Sequence, residues 1–123
     1  MWKVLGDLQQ LGMDFVDLVL LHGPNLAADN VGGCTAEACA FNRAQWQAFS
    51  ELREEGRVRS IGLSNYCPSC LECLLDSESD GEVVIPAVNQ VQYHVGYAAA
   101  NYSAFVSDFA SRGIVTWVRS HPK

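Results

Sequence analysis

Short apolar runs alternate with segments of helical periodicity along the whole chain, and this alternation constrains the fold more than any other feature. The apolar runs cover residues 15–21, 57–63, 83–91 and 114–118. Runs of this length, bounded by glycine, proline or polar turn residues, are typical of buried strands. The pattern predicts four helices that alternate with four strands, and favours a parallel sheet joined by right-handed crossovers.

The predicted helices have recognisable ends. Gly12, Gly56 and Gly113 each follow the last apolar position of a helical stripe, where a left-handed residue is often needed. Pro68 lies near the first turn of the third helix, a position that proline favours. Three leucines of that helix are predicted to face the core: Leu71, Leu74 and Leu75.

Two α/β architectures accommodate this order of elements. One is a doubly wound open sheet, and the other is a slice of an eight-fold β/α barrel; periodicity alone leaves both open. The chain has 123 residues, whereas a complete barrel usually needs roughly 250. We therefore expect one domain or less.

Composition excludes some functional classes. The formal net charge of −6 and the scattered basic residues argue against a nucleic-acid partner, which clustered Lys and Arg would bind. The most apolar run is too short to cross a bilayer, and the first residues lack the pattern of a secretory signal. These features predict a cytoplasmic protein without a membrane partner.

The five cysteines are an odd number in a chain without a recognisable secretory signal. This favours reduced thiols over a disulfide framework. Three of them share a CxxCxxC spacing: Cys67, Cys70 and Cys73. That spacing permits a metal, but no fourth ligand is obvious, and Cys34 and Cys39 lie in a predicted loop over residues 25–39. We predict no metal site.

Four segments resemble the aldo-keto reductase family, in the same order and at similar separations. The first covers residues 11–24 and contains His22. The second covers residues 46–65 and ends in Gly-Arg-Val-Arg-Ser-Ile-Gly-Leu-Ser-Asn. The third covers residues 86–94, and the fourth, with a weaker resemblance, covers residues 113–116. The resemblance covers nearly the whole chain and implies a partial (β/α)8 TIM barrel, which would be a single incomplete domain over residues 1–123. The segments resemble the fourth to seventh strands, so the first three strands and the last have no counterpart.

The resemblance also implies a partial active site. His22 matches the catalytic histidine that orients the substrate carbonyl, and Ser64, Asn65 and Gln90 match residues that bind the carboxamide of a nicotinamide cofactor. The cofactor would be NADPH, with NADH as an alternative. The residues alone also allow simpler roles: His22 as a polar group at a strand end, a turn at Ser64-Asn65, and Gln90 as a buried amide.

The chain departs from the family pattern in ways that affect function. The family's proton-donating tyrosine and its lysine and aspartate partners have no match, and neither Tyr66 nor Tyr93 stands in the donor's place. Gly23 replaces a tryptophan of the family's substrate pocket. Arg119 stands where a tyrosine of the family usually stacks on the nicotinamide. Arg119 either stacks in its place or marks an altered chain end.

Three functional hypotheses follow. The first is NAD(P)H-dependent reduction of a small aldehyde or ketone substrate, weak or absent in this chain alone. The second is a non-catalytic regulatory subunit on the same fold, with self-association or a partner chain covering the exposed barrel edges. The third is a remnant without a stable fold.

Overall fold

The computed structural model describes residues 2–24, 34–76, 83–92 and 102–119. Four helices alternate with four strands, as the periodicity predicts. In chain order they are α1 (Trp2–Leu11), β1 (Val16–Leu21), α2 (Ala36–Glu54), β2 (Val58–Ser64), α3 (Pro68–Leu75), β3 (Val88–Gln92), α4 (Tyr102–Ser111) and β4 (Val115–Arg119).

The four strands form one parallel sheet in the order β1-β2-β3-β4. Each strand thus lies beside its neighbour in the chain, whereas the strand order of a doubly wound sheet reverses at a switch point. Sequential order is the arrangement of a β/α barrel. The prediction of a partial (β/α)8 barrel is therefore confirmed, and the doubly wound alternative is wrong.

The three predicted glycine ends are also confirmed. Gly12, Gly56 and Gly113 have φ angles of 64°, 72° and 78°. After α1, the Gly12 and Met13 amides donate to the carbonyls of Gln9 and Leu8, which is the hydrogen-bond pair of a Schellman motif. The same pair recurs after α2 and α4. Each glycine thus turns the chain from a helix into the approach to the next strand.

The start of α2 differs from the prediction. Thr35 is its N-cap, and the Thr35 hydroxyl accepts a hydrogen bond from the amide of Ala38 at 3.2 Å. Cys39 therefore lies in the first turns of a helix and not in a loop. The threonine cap was the signal in the sequence; the remainder of the predicted loop, residues 25–33, lies outside the described residues.

The two faces of the sheet have different surroundings. Ile61 and Leu63 of β2 are buried in a core with residues of the helices: Trp46, Leu52, Leu71, Leu74 and Phe109. Because side chains alternate along a strand, Gly62 lies on the opposite face. There, an added Cβ would meet the side chains of Leu20 and Val88.

That opposite face, here called the concave face, retains large exposed apolar side chains. Leu18, Val115 and Trp117 belong to it by register and are 36%, 64% and 50% exposed. The prediction of buried strands therefore holds for residues 61–64 of β2 but not for most of β1 and β4, since the helices cover one face only. β1 in particular is an edge strand with a single buried residue, Leu21.

Among the described residues, no helix has the length and apolar character needed to cross a bilayer.

Candidate functional site

The predicted site residues meet at the carboxyl edge of the sheet. Leu21 at the end of β1 pairs with Leu63 of β2, and Ser64 at the end of β2 pairs with Gln90 of β3. His22 follows β1 directly, so it lies at the level of Ser64. In β/α barrels this edge carries the working groups, because the loops after the strands converge there.

Asn65 connects the three strand ends. Its backbone amide donates to the carbonyl of Gln90 at 2.8 Å. Its side-chain Nδ2 lies 3.2 Å from Ser64 Oγ and 3.5 Å from the carbonyl oxygen of His22. Asn65 also has a φ of 57°, a left-handed conformation that asparagine tolerates better than most residues. The predicted turn at Ser64-Asn65 is thus present, and it holds the site together.

The exposure of these side chains suits a binding edge. Ser64 is buried, Gln90 is half-buried, and His22 and Asn65 are exposed. Within the described residues, no hydrogen bond engages the side-chain amide of Gln90, which therefore keeps two donors and an acceptor for a ligand. The Ser64 hydroxyl accepts from Asn65 and retains its own hydrogen to donate.

Asn89 supports this edge from behind and was not identified from the sequence. It is 0% exposed. Asn89 Nδ2 donates to the carbonyl of Tyr66 at 2.9 Å, and Oδ1 accepts from the amide of Tyr66 at 3.3 Å. Because Tyr66 follows Asn65, this pair of bonds fixes the outgoing side of the turn. The sequence did carry a signal for this role. Side chains alternate along a strand, so Asn89 faces the helices when Gln90 faces the other way, and a polar side chain buried there needs hydrogen-bond partners.

Tyr66 itself is a core residue. Its side chain is buried, and burial raises the pKa of its phenol to about 12, because the charged phenolate is disfavoured away from water. No polar atom of the described residues hydrogen-bonds its hydroxyl. A phenol with a raised pKa is a weaker acid at neutral pH. That Tyr66 is not the proton donor stays a prediction. Tyr93 lies outside the described residues.

Arg119 ends β4 and pairs in register with Gln92. It is exposed and lies two positions beyond Trp117, which pairs with Gln90. Arg119 thus stands at the same edge as the predicted site. Both interpretations of Arg119, a residue that stacks on a ligand ring and a mark of an altered chain end, remain predictions.

The cysteines correct the expectation of reduced thiols. Cys34 is bonded to Cys70 and Cys39 to Cys73, with Cα–Cα separations of 5.2 and 5.1 Å, and Cys67 is the free cysteine. The expectation failed because Cys70 and Cys73 are one turn apart on α3 and face the start of α2, a proximity that spacing along the chain does not reveal. Among the described residues, no group of three or more histidine, cysteine, aspartate or glutamate side chains is placed to hold a metal.

Comparison with known proteins identifies the family. The model of the Aldo/keto reductase family matches residues 3–120. The chain is 36% identical over 110 residues to 2,5-diketo-D-gluconic acid reductase B of Corynebacterium sp. (strain SHS752001), covering 89% of this chain and 34% of that protein. It is 39% identical over 89 residues to an aldo-keto reductase of Mycobacterium sp. (strain KMS), covering 69% of this chain and 25% of that one.

Solved structures agree with this result. The structure of an aldo/keto reductase from Brucella melitensis matches with a TM-score of 0.69 and 31% identity, covering 94% of this chain and 38% of that one. A Bombyx mori aldo-keto reductase in complex with NADP matches with a TM-score of 0.65 and 25% identity, covering 92% and 33%. The chain thus spans between 25% and 38% of the length of these relatives. By its family match and its run of parallel barrel strands, this chain belongs to the aldo-keto reductase family.

Proposed function

We propose that this chain provides the carboxamide-binding edge of a nicotinamide site in an NADPH-dependent carbonyl reductase. The observation that carries the proposal is the convergence of Ser64, Asn65 and Gln90 on one sheet edge, tied by the bond from the Asn65 amide to the Gln90 carbonyl. A bound NADP is a feature of the Bombyx mori relative. Here, NADPH is the proposed cofactor and NADH the alternative.

The residues fit a carboxamide in their hydrogen-bonding capacity. A carboxamide presents two donor hydrogens and one acceptor oxygen, and the Gln90 amide can meet both kinds of group. The Ser64 hydroxyl adds a donor, while Asn65 holds the turn. When bound, the cofactor would supply the hydride that reduces an aldehyde or ketone to an alcohol.

The proposed role of His22 is to orient the substrate carbonyl. It is exposed and directly follows β1, and its backbone carbonyl is held by Asn65. The family's tyrosine, lysine and aspartate have no match in the chain, so proton transfer to the carbonyl oxygen lacks a positioned donor. We therefore propose cofactor binding with little or no turnover by this chain alone.

The matched variants Gln90→Ala and Gln47→Ala test cofactor binding. Gln90→Ala should weaken binding of NADPH by about tenfold, because each hydrogen bond to a carboxamide contributes about 1 kcal/mol. Gln47 lies on the exposed side of α2 and bonds only Glu51 within the described residues, so its replacement should leave affinity unchanged. Titration followed by cofactor fluorescence measures both. Equal affinity of the two variants, or no saturable binding by the folded chain, would contradict the proposal.

A second candidate function is a non-catalytic subunit, favoured by the exposed concave face with Leu18, Val115 and Trp117. In this role the occupant of the face is a second copy of the chain. Four parallel strands in sequential order are half of an eight-stranded barrel, and a two-fold axis along the barrel would place β4 of one copy beside β1 of the other.

Size-exclusion chromatography with light scattering tests this second candidate. The second-copy arrangement predicts a dimer that Trp117→Asp converts to monomer, because a charge would be buried between the two copies. Ala44→Asp provides a comparison at an exposed position of α2, away from the concave face. A wild-type monomer would count against the second copy, and a dimer that binds no NADPH would favour the subunit role over the reductase.

A further inference from the structure

We propose that Cys67-Pro68-Ser69-Cys70 is a thiol–disulfide exchange site in which Cys67 attacks the Cys34–Cys70 disulfide. The substrate of this site is the chain's own disulfide, and its product is a Cys67–Cys70 bond with a free thiol on Cys34. Nothing in this proposal depends on nicotinamide binding.

The first support is the position of Cys67. It is the N-cap of α3, and its side chain makes no capping hydrogen bond. The Cys67 carbonyl accepts from the Cys70 amide at 3.1 Å, which brings the two residues across a single turn. Residues so joined have Cα atoms less than about 7 Å apart, a separation that largely overlaps the range in which cysteines form a disulfide.

The second support is the contrast in accessibility within this turn. Cys67 is half-buried and free, and Cys67 Sγ lies 3.2 Å from Ser69 Oγ. Cys70 is fully buried and already oxidised. A partly exposed thiol three residues before a buried cysteine, at the start of a helix, is the arrangement of CxxC dithiol–disulfide motifs. The proline at the first helical position is compatible with a rigid helix start.

The exchange balances without an external reagent. Cys67 gives its proton to solvent, and its sulfur forms a bond to Cys70 Sγ. The Cys34–Cys70 bond breaks, and Cys34 Sγ leaves with the electron pair and takes up a proton. One disulfide replaces another, so the oxidation state of the chain is unchanged.

The second disulfide makes the exchange reversible. Cys39–Cys73 joins α2 to α3 independently, and Arg43 Nε adds a hydrogen bond to the Cys73 carbonyl at 3.1 Å. After exchange, these contacts keep Cys34 close to α3. The reaction therefore opens the connection at Cys34 alone and moves the free thiol from α3 to the segment before α2.

The test is thiol trapping by iodoacetamide in the full, unreduced chain. Labelled chains are cut after glutamate at mildly acidic pH, which suppresses further exchange. Cleavage after Glu37 and Glu72 separates Cys34 from Cys39 and Cys70 from Cys73. A Cys34–Cys70 bond then appears in mass spectra as two joined peptides, and a Cys67–Cys70 bond as a loop within one peptide.

The expected result is two populations. One keeps Cys34–Cys70 with label on Cys67, and the other has the Cys67–Cys70 loop with label on Cys34, which increases with trapping time. In Cys67→Ser, labelling of Cys34 should fall to the background seen at Cys39. Label confined to Cys67 in the wild type would overturn the proposal, as would equal labelling of Cys34 in Cys67→Ser or labelling of all five cysteines. The wild-type result is decisive even if the variant does not fold.

Discussion

Replacing Gly62 by alanine should lower the free energy of unfolding by about 2 kcal/mol, and replacing it by valine should lower it further. A Cβ at this position would lie 2.7 Å from Val88 Cγ1 and 2.9 Å from the backbone oxygen of Val88. Rotation of a side chain can relieve the first contact. The second requires β2 and β3 to move apart, which strains the strand pair that carries Ser64 and Gln90.

Gly6 provides the matched control. It lies inside α1, and an added Cβ there would meet nothing within 4 Å. Gly6→Ala should therefore raise stability by up to about 1 kcal/mol, through helix propensity alone. Urea unfolding followed by circular dichroism measures all three variants. If Gly62→Ala were as stable as Gly6→Ala, the close approach of β2 and β3 at Gly62 would be wrong.

Replacing Asn89 by leucine should cost about 3 kcal/mol, because leucine keeps a branched shape but is larger and leaves the amide and the carbonyl of Tyr66 without partners in a buried position. The side chain is 0% exposed, so water cannot replace the lost hydrogen bonds without opening the core. Since Tyr66 follows Asn65, the loss should also loosen the turn. NADPH affinity should therefore fall together with stability.

Asn89→Asp separates the two hydrogen bonds. A carboxylate can still accept from the Tyr66 amide, but it cannot donate to the Tyr66 carbonyl and would stand against it as a buried charge. Burial should raise the pKa of this carboxyl in the folded state above its value in the unfolded chain. Folding therefore favours the protonated carboxyl, and the stability that the protonated form contributes is present at low pH and is lost as pH rises through the folded-state pKa. Urea unfolding across this pH range should show Asn89→Asp gaining stability, relative to wild type, on acidification. If Asn89→Leu were as stable as the wild type, the two hydrogen bonds between Asn89 and Tyr66 would not stabilise the turn after Ser64.

The elements themselves were predictable because local interactions determine them. Gly12, Gly56 and Gly113 end helices since only a residue that tolerates a left-handed conformation allows the amides after them to bond back to the last turn. Thr35 carried a comparable local signal, but the composition of the segment before it favoured a loop. The missed start of α2 is therefore an error in weighing local signals.

The site was predictable in part. His22, Ser64, Asn65 and Gln90 followed from the resemblance of the segments around them, and the register of β2 and β3 explains why two of them meet. Their use in binding a nicotinamide cofactor remains a proposal. Asn89 was missed because its two bonds to Tyr66 join residues 23 positions apart, and no local pattern encodes such a contact.

The alternation of helices and strands, the helix ends and the family follow from the amino-acid sequence alone. These features depend on periodicity, on backbone conformation at single residues and on short runs of matching residues. The face of the sheet that stays uncovered, the pairing of the cysteines and the support of the turn after Ser64 become visible only in the folded chain. Each of these depends on distances between residues far apart in the chain, and such distances exist only once the helices pack against the sheet.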